Sequence, residues 1–251
     1  MKILGSDYDG TFTHGGVGDE KLAAIRAWRE AGNKFGIISG RAPDFLERLK
    51  EKHSGITLDF FASCNGGYIT DGDGQLLYEA PSAEVSLKEL SAFLLSIGCR
   101  YVHVVGTRCL CVVLRSSDAP TEVAEDRITR LSDMPDLPFF YQVSVRLDTV
   151  EAAAVTVEQI RRAYGEAINP LQNGRAIDIV AHGVNKAYGL YRMMEHYGAA
   201  HGDVIAVGDN INDIDMIRAF RSYAMENGVP EIKALANATV ADVTELLKQE
   251  L

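Results

Sequence analysis

Along the first sixty-five or so residues, short apolar runs take turns with stretches in which apolar positions recur every three or four residues. Residues 2–6 read as a first strand. Residues 19–31, DEKLAAIRAWREA, place Leu22, Ile25 and Trp28 on one helical face and stop at Gly32-Asn33. FGIIS at 35–39 is a second strand, GRAPDFLERLKEK opens a helix with Pro43 near its first turn, and DFFASC at 59–64 is a third strand. Strands this short and this apolar, separated by helices, predict a parallel sheet covered on both faces.

The rhythm then changes. GGYITDGDGQLLYEA reads as a hairpin turning on Asp-Gly; DGDG at 71–74 lacks the later oxygen ligands and closing Glu of a calcium loop. A helix over 84–97 precedes RYVHVVG and RCLCVVLR, two strands in succession. A helix is expected over 120–131, a strand in FFYQVSVRL, a helix over 151–164, and a hairpin from EAINPLQNG and RAIDIVA turning at Asn173-Gly174. Strands next to strands predict an α+β module with an antiparallel sheet. From Asn185 the first rhythm returns: helix NKAYGLYRMMEHYG, strand DVIAVGD, a helix from about Asn212, strand SYAME and helix VTELLKQEL. The expected fold is α/β, a Rossmann-like parallel-sheet core formed by 1–80 and 183–251, with an α+β domain inserted at 81–182.

Composition narrows the chemistry. Of 251 residues, 35 are acidic and 25 basic, a net charge of −10, which argues against nucleic acid or an anionic membrane as partner. An anionic substrate would need a metal ion or a few placed basic groups. No apolar run approaches the roughly 20 residues of a membrane span, and MKILGSDYDG does not read as a signal peptide. Cys64, Cys99, Cys109 and Cys111 form no CxxC pair and read as small core residues of a cytoplasmic protein.

In an open parallel sheet, ligands collect outside the carboxyl ends of the strands. The first strand ends in Asp7, Asp9, Gly10 and Thr11; the second in Ser39, Gly40 and Arg41. Lys186 begins the helix after the insertion, and VIAVGDNIND delivers Asp209, Asn212 and Asp213. Asp7 and Asp209 are hard oxygen ligands of the kind Mg²⁺ accepts, and the ion would offset their repulsion and attract phosphate. Ser39 and the helix start beyond it offer a hydroxyl and free N–H groups to an anion, and Lys186 adds a point charge. DYDG puts Gly at the fourth position rather than the sixth of an EF-hand, GGVG at 15–18 is no nucleotide loop, and the six histidines show no ligand spacing.

These residues resemble the haloacid dehalogenase superfamily of phosphohydrolases. DYDGT (7–11) resembles its first motif, IISGR (37–41) its second, GVNKAYGL (183–190) the third motif of its Cof-type branch, and GDNINDIDMI (208–217) the fourth. SCNGGYI (63–69) and SYAMENGVPEIKALA (222–236) are also similar to that branch. Ser39 stands where Thr is commoner, and the ending after Ala238 is shorter than usual. The resemblance implies a large cap inserted after the third core strand, Mg²⁺ as cofactor and a small phosphorylated metabolite as substrate, a sugar phosphate or a phosphoglycolate-like acid. It implies Asp7 as nucleophile and Asp9 as general acid/base and backbone-oxygen ligand. Asp7, Asp9, Asp209 and Asp213 would surround the metal, with Asp213 as ligand or support. Thr11, Ser39, Gly40, Lys186 and Asn212 would line the phosphate.

Other readings stay open at this stage. A phosphomutase uses the same Asp pair, and a signalling receiver accepts phosphate on an Asp without an acid like Asp9 or a hundred-residue lid. An ion-pumping ATPase shares the first motif but needs membrane spans. Arg100, Arg115, Arg146, Asn173 and Arg175 are polar residues of the inserted module within the class that contacts substrates, although solvated surface charge explains each one.

Overall fold

The computed structural model of the chain describes residues 1–107, 109–114, 128–134 and 137–251. It begins with β1 (Ile3–Ser6), α1 (Asp19–Glu30), β2 (Lys34–Ile38), α2 (Phe45–Lys52), β3 (Phe60–Ser63), β4 (Tyr68–Asp71) and β5 (Leu76–Glu79). Next come α3 (Leu87–Ser96), β6 (Tyr101–Val105), β7 (Cys109–Leu114), β8 (Ile128–Thr129), β9 (Gln142–Arg146), α4 (Val150–Tyr164), β10 (Ile168–Asn173) and β11 (Ala176–Ala181). The chain ends with α5 (Lys186–Tyr197), β12 (Val204–Gly208), α6 (Ile214–Ala219), β13 (Arg221–Met225), α7 (Pro230–Leu235), β14 (Ala238–Val240) and α8 (Val243–Glu250). Two compact units result, 1–79 with 185–251, and 80–184.

The first unit is built on an eight-stranded sheet in the order β14-β13-β12-β1-β2-β3-β4-β5. Its first six strands are parallel, and the β4–β5 hairpin adds an antiparallel edge. Alternate strand residues face opposite sides. On one side Leu4, Ile37 and Val207 pack with Ile25 and Trp28 of α1, Leu49 of α2 and Leu246 of α8. On the other, Ile3, Phe60 and Ala206 pack with Leu190 and Met193 of α5, Ile217 of α6 and Ile232 of α7. Gly5 lies under α5, and a Cβ there would stand 2.5 Å from the Leu190 side chain. Glycine in β1 therefore lets α5 come close.

The loop leaving β1 is tied down from beneath by a buried lysine. Lys21 Nζ donates to the carbonyls of Phe12 (2.7 Å) and His14 (2.9 Å) and meets Asp242 at 2.9 Å. Asp242 also caps α8 through the Thr244 N–H (2.6 Å). Burial works to raise the Asp242 pKa, but the Thr244 hydrogen bond and Lys21 outweigh it and hold the group below its ordinary value. Asp242→Ala should cost roughly 2–3 kcal/mol at neutral pH, from a lost cap and a buried ammonium stripped of its counter-charge. A depressed folded pKa gives stability that is present above the unfolded value and disappears as pH falls through the folded one. The gap between wild type and variant in urea melts should therefore close below about pH 4.

The second unit has a six-stranded sheet, β10-β11-β9-β6-β7-β8. Leu90 and Leu94 of α3 and Val157 and Ile160 of α4 pack against Val102, Val104, Val143, Val145, Ile177 and Ile179. Ser86 and Thr149 cap the two helices by accepting from the N–H groups of Glu89 and Ala152. Two expectations change here. β8 runs parallel to β7, so the sheet is not wholly antiparallel. The helix expected over 120–131 ends instead in the strand at 128–129, while 120–127 lie outside the described residues, as does Arg115. Thr129 is β-branched and lies in a ladder, and pairing along β7 overrides any helical spacing there. Arg100 is paired with Asp148 (2.8 Å), both largely exposed. α7 and β14, six and three residues long, are too short to carry a periodic signal in the sequence.

Candidate active site

β1 lies between β12 and β2, which is where the strand order reverses direction around the first strand. Ser6 pairs with Val207 and with Ile37, so the residues after these strands emerge side by side at one sheet edge, about 4.8 Å apart per strand. Asp7 follows β1, Ser39 follows β2 and Asp209 follows β12.

The chain turns sharply after Asp7. The Phe12 N–H bonds back to the Asp7 carbonyl (3.1 Å) and Thr13 to Tyr8 (3.0 Å), making a wide turn over 8–12. Tyr8 and Phe12 are buried in an aromatic cluster, with Tyr8 edge-on to Phe45 at 5.0 Å, so the turn is anchored through its apolar residues. Gly10 is required twice. Its φ is +83°, and a Cβ would stand 2.5 Å from an Asp209 carboxylate oxygen.

Three carboxylates gather around one ammonium. Lys186, fully buried at the first position of α5, stands 2.5 Å from an oxygen of Asp7 and 2.5 Å from one of Asp213. Asp213 accepts with its other oxygen from the N–H groups of Asp209 (2.9 Å) and Asn210 (3.0 Å). Thr11 spends its hydroxyl on Asp209 at 2.6 Å. Oxygen atoms of Asp7, Asp209 and Asp213 all lie within 4.8 Å of one another. Burial, above all, pushes the Asp7 pKa well above the ordinary carboxylate value; Asp213 and Asp209 add to this and Lys186 opposes it. Burial likewise raises Asp209, helped by Asp213 and opposed by the Thr11 hydrogen bond. For Lys186, burial works to lower the pKa, but the charges of Asp213 and Asp7 outweigh it and the ammonium form is favoured. The donor set is all oxygen and acidic, and Gly10 leaves open the space beside Asp209. That set fits a hard divalent cation such as Mg²⁺.

The remaining expected residues divide. Ser39 is buried, its backbone held by Ala62 and Asn65 and its hydroxyl accepting from the Arg41 N–H at 3.2 Å. Gly40 follows it at the same edge, half-buried. Asn212 is buried on the turn over Ile211–Asp213, and its Oδ1 has no hydrogen-bond partner among the described residues. The Asp9 carboxylate does not join the acid cluster. Arg41 holds both of its oxygens, Nε on one at 2.9 Å and Nη2 on the other at 2.8 Å. What Asp9 retains for an ion is its backbone carbonyl.

A family profile described as haloacid dehalogenase-like hydrolase matches residues 4–245. The chain belongs to that family. Among curated relatives, the Escherichia coli (strain K12) 5-amino-6-(5-phospho-D-ribitylamino)uracil phosphatase YbjI is 25% identical, over 94% of this chain and 89% of its own. The pyridoxal phosphate phosphatase YbhA of the same organism is 25% identical, over 97% of this chain and 94% of its own. A solved haloacid dehalogenase-like hydrolase from B. subtilis has a TM-score of 0.82 with 100% of both chains covered at 19% identity, a likeness of fold.

In this haloacid dehalogenase-like hydrolase, two residues reach the site without having been given a role from sequence. Asn227 donates to the Gly10 carbonyl at 2.9 Å from the loop after β13. It sits in ENGVP, where only strand order brings it under Gly10. Arg41 was legible as a rim residue of IISGR, but its partner was not, because spacing along the chain says nothing about a side chain reaching from one strand end to the next.

Proposed function

We propose that the chain is a Mg²⁺-dependent phosphatase of small phosphate monoesters, sugar phosphates or phosphoglycolate-like acids, working through an aspartyl-phosphate on Asp7. The hydrolase family together with its phosphatase relatives supports a phosphoric monoester hydrolase. The observation that carries the rest is the cluster of buried Asp7, Lys186 and Asp213 with half-buried Asp209. The two curated relatives act on a phosphorylated ribityl compound and on pyridoxal phosphate, both small monoesters. The unit of 1–79 and 185–251 is the catalytic core on this reading, and 80–184 is its lid.

An Asp7 oxygen attacks phosphorus, and as that bond forms the bond to the ester oxygen breaks, with its electron pair leaving on the alcohol. Asp9 gives that oxygen a proton and takes one back from the water that later attacks the phosphoenzyme, freeing Asp7 and inorganic phosphate. Lys186, the Ser39 hydroxyl, Asn212 and the backbone N–H groups of Thr11 and Gly40 hold the phosphoryl oxygens, where charge is spread in the transition state. Asp7 and Asp209 would hold Mg²⁺, with the Asp9 carbonyl. Asp213, whose two oxygens are committed to Lys186 and to two backbone N–H groups, fixes the geometry from behind. The ion would supply charge neutralisation for an anion approaching three carboxylates.

Phosphate release from a panel of sugar phosphates, phosphoglycolate and pyridoxal phosphate tests this. Turnover with Mg²⁺ is expected to fall at least about 100-fold in excess EDTA, since a metal Lewis acid contributes several kcal/mol. Hydrolysis indifferent to EDTA would remove the metal from the mechanism, and no release from any ester would remove the activity.

A further inference from the structure

Arg41 makes a built contact that the chemistry above leaves unused. Its guanidinium grips the Asp9 carboxylate with two parallel hydrogen bonds, 2.9 and 2.8 Å. It also lies over the face of Phe45 at 4.8 Å and nearer the edge of cation–π range to Tyr8, at 6.0 Å. Both rings are buried and packed edge-on against each other, so the platform is rigid. The backbone of Arg41 is fixed as well, its N–H bonded to the Ser39 hydroxyl and its carbonyl accepting from the Cys64 N–H at 2.9 Å. One end of the fork is therefore immobilised by the site. The other end, Asp9, sits on the turn between Asp7 and Thr11.

The pair itself stands in solvent, with side-chain exposure of 46% for Arg41 and 55% for Asp9. Exposed ion pairs are weakly held, and this one can open and close at little cost. A fixed cation on an aromatic shelf, joined to a proton-transfer group by a weak bidentate contact, has the properties of a parking position. While the pair is closed, the Asp9 carboxylate lies with Arg41 and outside the acid cluster of Asp7, Asp209 and Asp213.

We infer that Arg41 is a positioning residue for Asp9: it holds the carboxylate beside the reaction centre until a phosphate ester is bound, then releases it to the leaving oxygen. The inference rests on Asp9 being the general acid. After release, the Asp9 carboxyl gives its proton to the departing alkoxide as the P–O bond breaks. Arg41 itself never touches the ester. Restricting a catalytic group to a productive orientation is a proximity effect, and loosening it slows only the step that needs that group.

Leaving-group dependence separates this from a structural role. Dinitrophenolate leaves without a proton, whereas a sugar alkoxide does not, so only the second ester depends on Asp9. Asp9→Asn, Arg41→Met, Arg41→Lys and the double variant are compared on dinitrophenyl phosphate and on the best alkyl phosphate, with Mg²⁺ throughout. Asp9→Asn should slow the alkyl ester about 100-fold more than the aryl ester. If it slows both alike, the assignment of Asp9 fails, independently of Arg41. Given that discrimination, Arg41→Met should lower alkyl kcat about 10-fold more than aryl kcat, with KM for both esters little changed. Arg41→Lys, which keeps the charge but not the fork, should recover only part of this. In the Asp9→Asn background, Arg41→Met should have no further effect. Equal losses on both esters, a rise in KM, or a full additional loss in the double variant would each overturn the inference, the last two pointing to Arg41 binding the substrate.

Discussion

Asp7→Asn is expected to reduce phosphate release by about 10⁴-fold or more without unfolding the chain, as loss of a covalent nucleophile does. The substitution is isosteric, so the turn over 8–12 and its Asp7 carbonyl bond to Phe12 persist. An amide oxygen carries no charge with which to attack phosphorus. The change also takes one negative charge from a buried group that desolvation and two neighbouring acids already strain. Lys186 keeps Asp213 as its counter-ion. Thermal melting should therefore show a midpoint equal to or above that of wild type, while rapid quench with ³²P-labelled ester should trap label on wild type and none on the variant. Substantial residual turnover would dispose of Asp7 as nucleophile; a large fall in midpoint would show that its charge supports the fold.

Lys186→Met is expected to harm both activity and stability. The ammonium is fully buried between Asp7 and Asp213, and its removal leaves two buried carboxylates facing each other. Breaking a buried pair by deleting one partner costs about 3–5 kcal/mol. Loss of one preorganised charge at the phosphoryl group should cost a further 10²–10³-fold in kcat, by order of magnitude. The two effects separate by titration with Mg²⁺. A cation drawn to Asp7 and Asp209 replaces part of the missing positive charge, so Mg²⁺ should raise the melting midpoint of Lys186→Met by more than it raises that of wild type. Activity should stay low at saturating Mg²⁺, because the phosphoryl oxygens still lack their lysine. A variant as stable as wild type in EDTA would contradict the ion-pair cluster, and one restored to full activity by Mg²⁺ would leave Lys186 as a structural counter-ion only.

These predictions draw on residues of two kinds. Asp7, Ser39 and Asp209 were visible at once, because apolar runs with a period fitting strands end in polar residues that a buried strand has no reason to carry. Lys186 and Asn185 were visible as a helix start, and the structure makes Asn185 a cap that accepts from the Tyr188 N–H at 2.8 Å. The segment after β13 carries little local signal: α7 and β14 are held by neighbours such as Met216 and Val243 in the two cores rather than by any pattern of their own. Thr11 was visible as part of DYDGT, yet its hydroxyl turned out to serve Asp209, 198 positions away.

Hydrophobic periodicity, turn residues and a run of acids at strand ends were enough to determine an α/β core, the change of rhythm after the third strand and the residue types available for chemistry, since each depends on interactions within a few positions of the chain. Tertiary structure alone decided who meets whom. Strand order placed β12 beside β1 and so Asp209 beside Asp7. A glycine in β1 let α5 descend until Lys186 reached both acids. Arg41, seated over the Phe45 ring, meets the Asp9 carboxylate outside the cluster. Such contacts are set by packing across the sheet and by burial of charge, energies that arise only when distant segments are assembled.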